Sequence, residues 1–104
     1  MLSVDAAFDR IGSALGQRGY VLQREERLPD APGDRAAVYA SPDMSVRVRW
    51  KEKARILALE VETDGAWTEF ARRGFGPTGL EETAVEVLVR AVRNEVAETS
   101  TDAD

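Results

Sequence analysis

The stretch SVRVRWKEKAR, Ser45 to Arg55, places five basic side chains in eleven residues of a chain whose formal net charge is -5. Such a stripe has the chemistry to neutralise phosphates or another anion. It runs into EVETD, where Glu60, Glu62 and Asp64 recur at every second residue. Carboxylates at that spacing share one side of a strand and would hold a hard cation if a further oxygen ligand joined them. Exposed acids on strands are common and complete carboxylate cages are not, so no metal is expected here. With no histidine and no cysteine, the usual general base, thiolate nucleophile and soft metal ligands are missing. Ser41 and Ser45 have no histidine to activate them. GFGPTG, Gly74 to Gly79, puts Pro77 where a phosphate-cradling loop needs backbone N–H groups. The residues argue against an enzyme and against a bound cofactor.

The elements that position these side chains belong to one domain, because 104 residues suffice for a single core. With 43% hydrophobic and 32% charged residues the composition is that of a globular chain. The first residues, MLSVDAAFDRIG, lack the basic start and apolar run of a signal peptide, and no stretch is apolar for the ~18 residues a membrane span needs. A cytoplasmic location is expected, although the lack of cysteine fits either redox compartment.

Val4, Phe8, Ile11 and Leu15 fall on one stripe and predict a helix from Ser3 to Arg18, capped by Ser3 and closed by Gly19 with Tyr20 folding back towards Leu15. Periodicity then changes to two and predicts strands at Tyr20 to Arg27, Arg35 to Ala40, Ser45 to Lys51 and Arg55 to Thr63, joined antiparallel by short turns. EFARRGFGP reads as a short helical turn ended by Gly74, bringing Phe75 against Phe70. TGLE, Thr78 to Glu81, reads as a capping box opening a final helix to Val96. ETSTDAD is expected to be a disordered acidic tail, so the domain spans 1–97 and the tail 98–104. The expected fold is α+β: a two-layer sandwich in which a four-stranded antiparallel meander carries an N-terminal and a C-terminal helix on one face.

Alternation along the strands separates the two faces of that sheet. Val46, Val48 and Trp50 point one way and Arg47, Arg49 and Lys51 the other. A turn at Ser41 to Met44 that sets Ala40 opposite Ser45 puts Ala37 and Tyr39 with the buried set. A hairpin tip at Glu52 and Lys53 adds Leu57 and Leu59 to it. The open face then holds Ala36, Val38, Ala40, Ile56 and Ala58 among Arg47, Arg49, Lys51, Glu60 and Glu62. It is apolar and small at the centre, with charges of both signs around it.

A solvated sheet face is the plainest account of such a pattern. An interface is the sharper one: Arg47 and Arg49 of one chain facing Glu60 and Glu62 of another across a two-fold axis. The final helix, apolar over roughly 200° of its circumference, offers a second contact surface or packs on sheet and first helix together. Nucleic acid is disfavoured by the negative total charge, by the glutamates on the same face and by the inward direction of Tyr39 and Trp50, which leaves no aromatic on these two strands for base stacking. Trp67 is read as part of a lid over one end of the core, or else as an exposed anchor for a partner.

In outline the small acidic helix-flanked sheet resembles cytoplasmic chaperones of secreted effectors and immunity proteins of bacterial toxins, which implies action by binding a partner. It lacks the mid-chain helix expected of the chaperones. The function expected is that of a non-enzymatic interaction domain, self-associating as a homodimer or binding a protein partner through Arg47, Arg49, Lys51, Ile56, Ala58, Glu60, Glu62 and Trp67, with no membrane contact. The alternative is an anion or nucleic-acid site on Arg47, Arg49 and Lys51.

Overall fold

The computed structural model describes residues 1–27, 31 and 33–101. Its elements run α1 (Val4–Gln17), β1 (Val21–Arg27), β2 (Arg35–Ala40), β3 (Ser45–Lys51), β4 (Ile56–Thr63), β5 (Ala66–Gly74) and α2 (Glu82–Thr101). The strands form one antiparallel sheet in sequence order, β1-β2-β3-β4-β5, and the two helices lie side by side on one face of it. The fold is α+β, as the patterning predicts, with five strands instead of four.

α1 begins where the Ser3 hydroxyl accepts the Ala6 N–H at 3.0 Å. It ends in a Schellman closure: Gly19, at φ +87°, donates to Gly16 O, and Tyr20 donates to Leu15 O. That closure turns the Tyr20 ring into the core. Ile11 and Leu15 from α1 meet Val46, Val48, Trp50, Leu57 and Leu59 from the sheet and Val85, Leu88 and Val92 from α2, all with essentially no exposure. Burial of each such side chain stabilises the fold by about 1.5–3 kcal/mol, which is why the inward positions of β3 and β4 set the register. Arg35 fastens the sheet to α1 from the same side: its guanidinium lies 4.1 Å from the Phe8 ring centroid and pairs with Asp5 and Glu25.

Three expectations are corrected. The segment read as a helical turn is strand β5. Asp64 and Gly65, at φ +52° and +81°, form the two-residue turn with both central residues left-handed that favours a tight hairpin. Thr63 pairs with Ala66, and the chain returns along β4 with one bulge around Phe70. Phe75 instead packs on Trp50, ring centroids 6.3 Å apart.

The second correction is at the β3–β4 loop, which spans four residues, not a tip at Glu52 and Lys53. Lys51 pairs with Ile56, and Arg55 takes the left-handed conformation at φ +52°. The pairing moves by two residues, an even number, so every side chain keeps its expected face. Arg55 is held there by its Nε donating to Gly76 O at 2.8 Å and by its guanidinium lying over the Trp50 ring.

The third is the start of α2, at Glu82 and not Thr78. Leu80 exchanges backbone hydrogen bonds with Leu2, which keeps residues before Glu82 extended, and the carbonyl of Glu81 accepts the Ala84 and Val85 N–H groups. The box at Thr78 to Glu81 therefore does not cap the helix. At its other end α2 continues past Val96 to Thr101. Residues 102–104 of the expected acidic tail lie outside the described residues.

Candidate functional site

Both helices cover one side of the sheet, so the residues that point away from them form the other side. Pairing registers fix that array strand by strand. Across its middle run Arg24, Val38, Arg47, Glu60 and Glu69; one level along run Glu26, Ala36, Arg49, Ala58 and Arg72. Lys51 and Ile56 lie beyond the second row, and Glu62 with Trp67 beyond the first. All eight residues singled out from the sequence thus lie on one face. Arg24 and Glu26 of β1, and Glu69 and Arg72 of β5, join them. The β5 pair does not follow from the sequence reading, because EFARRGFGP resembles a helical turn; Asp64-Gly65 between alternating segments is the signal that marks the strand.

The small residues are not open to solvent even though no helix covers them. Ala36, Val38 and Ala58 are buried, because their long neighbours lean over them. Arg47 makes the firmest arrangement of this canopy. Its Nε donates to Glu60 Oε1 at 2.7 Å, and its guanidinium sits 4.6 Å from the Trp67 ring centroid. With the two side chains only 17% and 10% exposed, this pair is largely removed from water, where a charge without its partner would be costly. Arg24–Glu26 at 2.9 Å and Arg72–Glu69 at 3.4 Å make looser pairs nearer the rims. Arg49 and Lys51 enter no ion pair among the described residues.

These contacts revise the picture of the basic stripe in two ways. Arg47 is neutralised within its own chain by Glu60, which leaves Arg49 and Lys51 as the cations that β3 presents on the open face without an acidic partner among the described residues. Trp67 is neither a lid over the core nor a bare anchor: it is a half-buried aromatic on the open face, clamped under Arg47. Glu60 is engaged by an arginine, and Asp64 stands in the turn and not in the face. No group of three acidic, histidine or cysteine side chains among the described residues is placed to hold a metal ion. No described helix is long and apolar enough to cross a membrane.

The sheet's two edges offer a contrast. β1 and β5 each carry a bulge, at Gln23 and around Phe70, and each is studded with charge, QREER in one and EFARR in the other. Bulges and charges on outer strands discourage the addition of a further strand. The face is thus better suited to contact than the edges.

No family model matches the chain, and neither a curated protein nor a solved structure matches it.

Proposed function

We propose that the chain is a non-enzymatic interaction domain that works by protein contact through the open face of its sheet, with itself or with another protein. The observation that carries the reading is the composition of that face. A five-stranded surface left uncovered by both helices displays Trp67, small apolar positions and charges of both signs. Aromatic and arginine residues are the types that most often anchor protein interfaces. Lysine and glutamate standing alone would point to simple solvation. A stacked Arg47 on Trp67 beside buried alanines points to contact.

The anion-binding reading draws on one observation, that Arg49 and Lys51 have no acidic partner among the described residues. Glu60, Glu62 and Glu69 on the same face oppose a polyanion that would have to lie across it, so protein contact is preferred.

Photo-crosslinking inside cells that make the protein separates these accounts. A photoreactive residue at position 62, exposed on the open face, should yield a discrete protein adduct, and the same residue at position 90, exposed on α2, should not. Adducts from position 90 alone, or from neither position, would refute the face as the contact surface. Adducts to nucleic acid from position 62 would favour the second reading.

A further inference from the structure

The face has a property that narrows the choice of occupant. It carries five cations, Arg24, Arg47, Arg49, Lys51 and Arg72, against four anions, Glu26, Glu60, Glu62 and Glu69, in a chain whose net charge is -5. It is therefore a side on which two copies of this acidic chain meet without opposing acid to acid. From its charge pattern we infer that the occupant is a second copy, related by a two-fold axis that runs along the strands between β3 and β4. The inference rests on the reading of this face as a contact surface and adds the partner and the symmetry.

An axis so placed keeps each row at its own level, exchanging β3 with β4 and β2 with β5. Arg47 of each copy then stands over Glu60 of the other, so two intrachain ion pairs stack head to tail into a four-membered ring of alternating charge. Following the same register, Ser45 lies over Glu62, Arg49 over Ala58, and the aliphatic stem of Lys51 over Ile56. Arg49, without an acidic partner among the described residues, comes within diagonal reach of Glu60 of the other copy. The small residues of β2, Ala36 and Ala40, lie beneath the large ones of β5, Arg72 and Trp67. No facing pair sets like charges together. A two-fold axis across the strands would lay basic β3 over β3 and fail that test, opposing Arg47 to Arg49 where it crosses at Val48 and Arg47 to Arg47 where it crosses at that residue. Strand directions stay nearly aligned, as in face-to-face sheet packing. The four strands that face a counterpart, β2 to β5, present a projected area on the order of 400 Å² at the usual spacings. The relief of long side chains raises this towards the roughly 800 Å² per partner of a standard interface.

The test exploits the symmetry. In the double variant Arg47→Glu with Glu60→Arg, the intrachain pair and the pairing between identical copies are both retained. Wild type meeting the variant puts Arg against Arg and Glu against Glu. Nitrogen-15-labelled variant is mixed with unlabelled wild type, left to re-assort, and examined by native mass spectrometry. Each chain should dimerise alone, and mixed dimers should fall about tenfold or more below the half expected from random exchange, because facing like charges are costly. Free mixing, or monomers at every concentration, overturns the inference. The crosslinking result from position 62 stands independently of both outcomes, so failure of the symmetry and failure of the contact surface are told apart. Should the double variant fail to fold, Ser45 supplies the same test from a half-buried strand end. Ser45→Lys should tighten the dimer several-fold by facing Glu62 and Ser45→Glu should loosen it, whereas equal effects or none would overturn the arrangement.

Discussion

Arg47 ties three parts of the open face together, since its guanidinium holds Glu60 by a 2.7 Å hydrogen bond and covers the ring of Trp67. Removing it leaves a largely buried carboxylate without a partner. Arg47→Ala should cost about 2–3 kcal/mol of stability. Glu60→Gln, which keeps an acceptor for the same donor, should cost less; urea denaturation of the two variants measures the difference. Alternation along SVRVRW and along ILALEVET puts Arg47 and Glu60 on this face by sequence alone, but their pairing is not legible there: intrachain and interchain partners look the same until the register is known. The tyrosines titrate differently from free phenols. Burial raises Tyr39 above its ordinary value of 10.0, with Asp9 and Glu25 nearby adding to the effect and Arg35 opposing it; burial also raises Tyr20. A raised phenol keeps its proton in the folded state, so its contribution to stability is intact below pH 10 and is lost as the pH climbs through the higher folded value. Denaturation midpoints from pH 9 to 11 should fall less steeply for Tyr39→Phe than for the wild type.

Turns decide the elements, and they differ in how plainly the sequence marks them. Gly19 is legible because an amphipathic helix precedes it and an aromatic follows it, and the closure forms as those residues dictate. The Asp64-Gly65 turn is masked in the sequence because the arginine-glycine-aromatic run beyond it imitates that helix end. The decisive information lay upstream of the run, in two residues suited to left-handed backbone. At the β3–β4 loop the length differs from the expected one while the faces do not, since a shift of two residues preserves the alternation. Glycine substitutions should display this logic. Gly65→Ala, at φ +81°, should destabilise by about 1 kcal/mol. Gly16→Ala, inside α1 with open space around it, should stabilise by roughly 0.4–1 kcal/mol. Thermal unfolding followed by circular dichroism distinguishes a fall in one midpoint from a rise in the other.

The molecule as a whole is a half-clad sheet: helices on one side, a canopy of long side chains on the other, bulged and charged strands at both edges. That division was legible from alternation and from the two amphipathic segments, whereas the canopy depends on how arginine side chains lie and no pattern in the sequence encodes it. Trp50 is 1% exposed in the core while Trp67 is half-buried on the open face, so quenching by acrylamide reports chiefly on that face. The most direct measurement follows light-scattering mass and acrylamide quenching together over a concentration series. The account predicts a mass rising from 11.4 kDa towards twice that value, with Trp67 becoming shielded over the same range. A mass that doubles while Trp67 stays fully quenchable would place the contact elsewhere, and a mass that never rises would contradict self-association.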